Sequence, residues 1–355
     1  MGENNTSNKF FNIPPGAIIP GTLGKFSIYL KTGENKSVLY SKKGETVPPD
    51  VLKRLSEIGV ENLFVATEDE VVFEKYIEEH LQEILISEDV DSQTKVKYFK
   101  ECTIKSIKKS FNSGKMHHVK KSDIYHLKDL ITKTMSYISS DGAVKELGKL
   151  MGHDYDTHSH SMKVFWLCLL LVDDAIELHP EKAKDLQWFD KYKIDLGVAS
   201  ILHDIGKTLI PLSLLNKEGK LNDAEMLAMK NHSVNSVSLL LESKVNLMVK
   251  KAILHHHEDY GGGGYPFGLT GDEIPFEARL IRIVDVFEAI TSKRPYKPAK
   301  SPVNALEIMT GKLLQSDSLP LSEEDDPRDR KGMLKCFDRD LLTKFVLLLR
   351  KRELI

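Results

Sequence analysis

Gly197-Val-Ala-Ser-Ile-Leu-His203-Asp204-Ile-Gly-Lys207 is the stretch of the sequence that indicates most about the fold and its chemistry. Apolar residues with helical spacing lead directly into a His–Asp pair, and a lysine follows one turn later. An apolar approach of this kind is typical of a buried segment, where a carboxylate is costly unless a cation neutralises it. A bound divalent metal ion is one such cation, whereas an isolated His–Asp dipeptide is more often a core histidine beside a surface aspartate.

The His–Asp pair is accompanied by other histidines and a further aspartate in helical contexts. Asp285 lies among apolar residues, the pair His256-His257 ends an apolar helix, and His160 precedes a strongly apolar one. Cysteine is absent from the set. The candidate metal ligands are His160, His203, Asp204, His232, His256, His257 and Asp285.

Composition excludes several classes of protein. The length of 355 residues suggests about two domains, and 41% hydrophobic residues allow a sizeable core. Lys plus Arg is 50 and Asp plus Glu is 52, which argues against a coat for a nucleic-acid polymer or an anionic membrane. The three cysteines are far apart, so we expect separate thiols in a reducing compartment. The N-terminus lacks the pattern of a signal peptide and the longest apolar run is far too short to span a membrane, so we expect a soluble, cytoplasmic protein.

Periodicity predicts a mainly α fold in which an all-α helical domain, residues 121–355, follows a small α/β module. The module and its linker helices are expected to occupy residues 1–120. We expect the module to regulate the helical domain or to bind a partner. Apolar spacing predicts a helix over 92–111 that Asn112-Ser-Gly114 interrupts. Four other elements are expected in the module: strands at 26–30, 37–40 and 60–65 and a helix at 51–58.

The order of these motifs is similar to a known family. His160, His203-Asp204 and Asp285 resemble the HD superfamily of metal-dependent phosphohydrolases. His232, His256-His257 and Gly264-Tyr265-Pro266 resemble its HD-GYP subfamily, known as cyclic di-GMP phosphodiesterases of bacterial signalling. The resemblance covers about residues 124–350, and it implies hydrolysis of a 3′,5′-phosphodiester in cyclic di-GMP.

The resemblance also implies how the metal ligands are shared. One metal ion would be held by His160, His203, Asp204 and Asp285, and Asp204 would bridge to a second. The second ion would be held by His232, His256 and His257. Imidazoles and carboxylates without thiolates suit iron, with manganese as the alternative. Asp156, one helical turn before His160, is a further candidate ligand.

Residues for the substrate follow from the same resemblance. Lys207 lies one helical turn from His203, so it should project towards the metals and contact the scissile phosphate or the leaving oxygen. Asp204 joins it as a catalytic residue. Arg294, Lys297 and Tyr265 match positions expected to contact the cyclic dinucleotide. The Gly-Tyr-Pro loop or the N-terminal module would bind a signalling protein.

The chain departs from the family pattern at several points, and these leave two alternatives. Gly261 stands where the family usually has an aspartate, and the interval from His160 to His203 is long. One turn before His160, where the family usually has a tyrosine or an acid, stands Asp156, with Tyr155 displaced by one position. A metal-bound sensor or scaffold with little turnover is therefore the main alternative to an enzyme. A single-metal HD nucleotidohydrolase is the other, but it would not need His232, His256 and His257.

Overall fold

The structure, a computed structural model, describes residues 9–22, 24–33, 36–151, 156–179, 186–293, 298–311 and 333–355. It divides into two compact units, Met1–Cys102 and Thr103–Ile355. The division falls within one helix, Ser92–Lys115, while the boundary between residues 120 and 121 stays a prediction.

The first unit is built on a four-stranded antiparallel sheet in the order β1-β4-β2-β3. Its strands are β1 Phe10–Ile13, β2 Ile28–Gly33, β3 Lys36–Ser41 and β4 Leu63–Ala66. The helices are α1 Pro49–Glu57, α2 Glu70–Glu79 and α3 Leu81–Ile86, followed by the start of α4 Ser92–Lys115. The expected α/β character is therefore confirmed, with β1 as a strand that the sequence pattern did not indicate.

Aromatic residues form the core of the first unit. Phe26 packs edge-on against both Phe73 and Tyr76, with ring centroids 5.3 Å apart in each pair. The backbone N–H of Ile19 donates to the Tyr76 hydroxyl at 2.7 Å, so the one polar atom of this buried ring has a partner.

Among its described residues, the regular elements of the second unit are helices. Its helices after α4 are α5 Lys121–Ile138, α6 Asp141–Gly148, α7 Thr157–Ala175, α8 Leu186–Leu202, α9 Leu212–Leu215, α10 Asp223–Lys230, α11 His232–Leu239, α12 Leu247–His255, α13 Phe276–Thr291, α14 Pro302–Thr310 and α15 Arg339–Lys351. Helix α7 is buried along nearly its whole length, because it packs between α8, α13 and α15. No helix among the described residues is both long enough and apolar enough to cross a lipid bilayer.

The expected interruption of α4 at Asn112-Ser-Gly114 is wrong, since the helix continues to Lys115. The Ser113 hydroxyl donates to the buried Asp123 carboxylate at 2.5 Å. Gly114 faces Ile205 so closely that a Cβ would lie 3.2 Å from its Cγ1. Tertiary contacts therefore outweigh the weak helix propensity of these residues.

Candidate metal centre

Five helices of the second unit bring the predicted ligands together. His160 lies in the first turns of α7, His203 and Asp204 follow the end of α8, His232 begins α11, the pair His256-His257 follows α12, and Asp285 lies within α13. Their ligand atoms form two groups, each with atoms within 4.8 Å of one another. The first group is His160, His203 and Asp285, and the second is Asp204, His232, His256 and His257.

Three histidines are oriented by the ends of helices. The Nδ1–H groups of His203, His232 and His256 donate to the carbonyls of Ser200, Met229 and Ile253, at 2.8, 2.7 and 2.6 Å. Each acceptor lies in the last turn of a helix, where carbonyls lack an intrahelical partner. The proton is thus held on Nδ1, and the Nε2 lone pair is free to bind a metal ion.

Two pairs of histidine rings, one pair in each ligand group, place their Nε2 atoms close together. Nε2 of His160 lies 3.2 Å from Nε2 of His203, and Nε2 of His232 lies 3.4 Å from Nε2 of His256. Neutral rings whose protons are on Nδ1 would place two lone pairs face to face here. A cation between each pair relieves that repulsion, so the arrangement fits two metal ions.

Asp204, a member of the second group, also lies close to the first. Its Oδ2 is 3.4 Å from Nε2 of His203 and 3.6 Å from Nε2 of His160. Its Oδ1 is 3.3 Å from Nε2 of His232, yet this buried oxygen has no hydrogen-bond partner among the described residues. A buried carboxylate oxygen without a donor is costly, and a metal ion would satisfy it.

The charges of the two aspartates are maintained by their surroundings. Burial would raise the pKa of Asp204, but the Lys207 ammonium and His203 hold it well below its usual range. Burial acts likewise on Asp285, whose Oδ1 lies 3.2 Å from Nε2 of His160, and that histidine keeps the pKa of the carboxyl low. Both groups therefore stay anionic and able to bind a cation.

The histidines of the second group are kept neutral. Burial lowers the pKa of His232, and it lowers the pKa values of His256 and His257 well below their usual range, with help from neighbouring imidazoles. Neutral imidazole is the form that binds a metal ion.

Comparisons with known proteins identify relatives of this chain. A family model described as an HD domain matches residues 167–315. Cyclic di-GMP phosphodiesterase PA4108 of Pseudomonas aeruginosa is 36% identical over 189 residues, which are 53% of this chain and 43% of the relative. The 3′3′-cGAMP-specific phosphodiesterase 3 of Vibrio cholerae is 30% identical over 274 residues, 76% of this chain and 54% of the relative. The structure of Bd1817, an HDG"Y"P protein from Bdellovibrio bacteriovorus, superposes with a TM-score of 0.60 at 16% identity, covering 96% of this chain and 99% of that one.

The chain belongs to the HD-GYP family. It spans about half the length of the curated relatives it matches. The likeness to Bd1817, at low identity, concerns the fold alone.

The Gly-Tyr-Pro loop of this HD-GYP chain borders the second ligand group. The ring of Tyr265 stacks on His257 with centroids 4.7 Å apart, and Lys230 Nζ lies 5.4 Å from the tyrosine centroid. Burial raises the pKa of Tyr265, so its hydroxyl remains protonated. Gly264 is required beside it, because a Cβ there would lie 2.2 Å from the backbone nitrogen of Asp259.

His257 differs from the other histidines of the HD-GYP centre. Arg282, which can only donate, places Nη1 3.2 Å from its Nδ1, and Asp259 holds the same guanidinium at 2.6 Å. His257 therefore accepts a hydrogen bond at Nδ1, where His203, His232 and His256 donate one. The proton of the neutral His257 ring then lies on Nε2 and must be lost before that atom can bind a metal ion.

The other predicted site residues lie in different settings. Lys207 is in the 3₁₀ helix Ile205–Leu209, with Nζ 2.5 Å from Oδ2 of Asp204. Asp156 caps α7 by accepting from the backbone N–H groups of His158 and Ser159, and it belongs to neither ligand group. Hydrogen bonding with the side chain of His158, followed by the bonds from Ser159 and the two backbone N–H groups, outweighs burial and lowers the pKa of its carboxyl. Arg294 and Lys297 lie outside the described residues.

Sequence reasoning missed the residues that support the ligands. Glu288 accepts from His160 and pairs with Lys163, and the buried Glu258 carboxylate accepts from the backbone N–H groups of Phe267 and Leu269 at 2.8 and 3.1 Å. The sequence could have indicated Glu288, because it is a second carboxylate one helical turn after Asp285 in an otherwise apolar segment. Glu258 adjoins His257 and ties down the loop that carries Tyr265.

Proposed function

We propose that this chain is a metal-dependent phosphodiesterase that hydrolyses cyclic di-GMP at a binuclear metal centre, giving the linear dinucleotide. The observation that carries the proposal is Asp204, which presents one oxygen to each of two ligand groups. Relatives named as cyclic di-GMP or 3′3′-cGAMP phosphodiesterases support the choice of substrate.

Both metal positions would be held by nitrogen and oxygen ligands. His160, His203 and Asp285 would hold one ion, His232, His256 and His257 would hold the other, and Asp204 would bridge them. Ligand sets of imidazole and carboxylate without thiolate suit iron, with manganese as the alternative.

The chain's own residues would prepare the substrate phosphate for attack. When bound, divalent ions supply Lewis acidity that lowers the pKa of water and neutralises charge on a phosphodiester. Lys207 contacts Asp204 while about a quarter of its side chain is exposed, at 24%. It is therefore placed to donate from the solvent side to the phosphate or to the leaving oxygen. Tyr265 stacks on His257 beside the second ligand group, and its contact with substrate, like those of Arg294 and Lys297, belongs to the proposal.

A sensor with little turnover is the second candidate, and Gly261 is the observation in its favour. A Cβ at this position would lie 2.8 Å from the carbonyl oxygen of Lys335, so the aspartate usual in the family does not fit without a shift. Gly261 instead donates its N–H to that carbonyl at 2.7 Å. Binding of a cyclic dinucleotide without hydrolysis would support this candidate.

The test is reconstitution of the full chain with Fe(II) or Mn(II) under reducing, oxygen-free conditions. We expect two metal ions per chain and conversion of cyclic di-GMP into linear product, with 3′3′-cGAMP assayed in parallel. Faster hydrolysis of 3′3′-cGAMP would overturn the choice of substrate. Two bound metals without turnover of either dinucleotide would overturn the enzyme in favour of the sensor, and a single metal would contradict the binuclear centre.

Lys207→Met separates catalysis from metal binding. Removing a cation that stabilises charge in the transition state typically lowers the rate by about 10²–10³. We therefore expect Lys207→Met to lose turnover by about this factor while it retains both metal ions. Lys217→Met is the matched control, because Lys217 pairs with Glu225 on the surface at 2.6 Å. Full turnover by Lys207→Met would remove the lysine from the mechanism.

Two further expectations remain predictions. The first is a signalling-protein partner at the Gly-Tyr-Pro loop or the N-terminal module. The second is a cytoplasmic location, with which the three free cysteines are compatible.

A further inference from the structure

The histidines of the two ligand groups differ in what lies behind their rings. His203, His232 and His256 donate Nδ1–H to neutral main-chain carbonyls. His160 lies in the first turns of α7, away from the free carbonyls of a helix end. A carboxylate from α13 takes that place, since Nδ1 of His160 lies 2.5 Å from Oε2 of Glu288.

Glu288 is held as an anion by a fully buried network. Its Oε1 lies 2.6 Å from Nζ of Lys163 and accepts from the hydroxyl of Ser292, while Lys163 also donates to that hydroxyl at 2.7 Å. Glu288 and Ser292 are each 2% exposed, and Lys163 is 4% exposed. Both oxygens of Glu288 thus have hydrogen-bond partners, and the Lys163 ammonium beside Oε1 supplies the compensating charge.

The second group has the opposite charge behind one of its rings. Arg282 Nη1 lies 3.2 Å from Nδ1 of His257. A neutral ring that accepts from a guanidinium at Nδ1 carries its proton on Nε2 and must lose that proton before Nε2 can bind a metal ion, whereas an anion that accepts from Nδ1–H raises the basicity of Nε2. The two metal positions are therefore electronically unequal.

We propose that Glu288, fixed by Lys163 and Ser292, is a positioning residue that acts through His160 and makes the position of His160, His203 and Asp285 the tighter of the two for divalent metal ions. The inference rests on the binuclear centre of the proposed function. Hydrogen-bond partners of metal-ligating histidines typically change metal affinity by about 10–100-fold when they are removed. The first position fills before the second.

Glu288→Gln tests this with almost no change in shape, because the amide can still accept from Lys163 and Ser292. Glu277→Gln is the matched control: Glu277 is a buried carboxylate on the same helix, 3.0 Å from the Tyr192 hydroxyl and outside both ligand groups. Mn(II) is titrated into the metal-free full chain of each variant. We expect two binding steps in the wild type and in Glu277→Gln, and a tight step weakened by about 10–100-fold in Glu288→Gln.

A double variant tests whether Glu288 acts through His160. His160→Gln alone should weaken the tight step, and adding Glu288→Gln should weaken it no further, because the carboxylate then has no ring to orient. Additive losses would overturn the inference. So would unchanged Mn(II) affinity in Glu288→Gln, or an equal loss in Glu277→Gln.

Ser292→Ala provides a milder variant in case Glu288→Gln does not fold. It removes one hydrogen bond from Oε1 of Glu288 and should weaken the tight step in the same direction by a smaller factor. An unchanged tight step in Ser292→Ala would count against the network. Because Mn(II) affinity is read without substrate, a chain that binds two ions but leaves cyclic di-GMP intact would contradict the proposed function alone.

Discussion

Asp204 combines two features that rarely occur together in one buried side chain. Its Oδ2 is paired with Lys207, while its Oδ1 has no hydrogen-bond partner among the described residues. The first feature keeps the carboxylate ionised, and the second leaves a lone pair directed at His232. A metal ion beside Oδ1 would be compatible with both features.

Asp204→Asn should therefore lose both metal ions or nearly so, because in the proposed centre this carboxylate would bridge the two positions. Asp195→Asn is the matched control, since Asp195 is a buried aspartate of α8 whose partners are Lys128 and Asn246. Metal analysis of the purified proteins decides the matter. Two ions per chain in Asp204→Asn would disprove the bridge.

The neutral histidines predict how the metal-free protein responds to pH. The folded pKa values of His232, His256 and His257 lie below the unfolded value of 6.5, so the unfolded chain binds more protons in the window between them. The contribution of these imidazoles to the free energy of unfolding is thus fully present above about pH 6.5. It decreases as the pH falls, by up to about 1.4 kcal/mol per pH unit for each imidazole. Urea unfolding of the metal-free chain at about pH 7.5 and about pH 5.5 measures the change in unfolding free energy between the two pH values. This change should be smaller in His256→Gln than in the wild type. Equal differences in both proteins would contradict the assignment.

The candidate ligands could be selected from the sequence because histidines and aspartates stand out in apolar helices, and the structure brings those residues together in two groups. Glu288 and Arg282 could not be selected in the same way, because a second carboxylate or a cation in a helix is usually a surface residue or an ordinary ion pair. Their role depends on which helices pack together, and one sequence does not specify that α13 lies against α7 and α12. Asp156 is a candidate ligand because of its position one turn before His160. In the structure its side chain caps α7, a contact that sequence reasoning missed.

The 3₁₀ helix Ile205–Leu209 is the element that links the two ligand groups. Gly206 donates its N–H to the Ser236 hydroxyl at 2.8 Å, and that hydroxyl donates to the carbonyl of His203 at 2.9 Å. A Cβ on Gly206 would lie 2.0 Å from the carbonyl oxygen of His232. The glycine therefore permits the close approach of α11 on which the spacing of Asp204 and His232 depends.

Gly206→Ala should push α11 away and lose metal from the second position. Overpacking of this kind costs about 1–3 kcal/mol of unfolding free energy. Gly114→Ala is the control, because its Cβ would meet side-chain atoms of Ile205 and Thr208 at 3.2 Å, which can adjust, and alanine favours the helix. Urea unfolding and metal content measure both effects. A Gly206→Ala protein with wild-type stability and two metals would show that this approach is not needed.

Over the chain as a whole, every described ligand and each of its supporting contacts lies within Thr103–Ile355. A chain shortened to begin at Asp91 keeps α4 whole, because that helix starts at Ser92. We expect this shortened protein to keep a helical spectrum and both metal ions, measured by circular dichroism and metal analysis beside the full chain. A soluble, helical protein without metal would show instead that the two units form one cooperative structure. Retained metal with altered turnover of cyclic di-GMP would assign regulation, and not formation of the centre, to the N-terminal module.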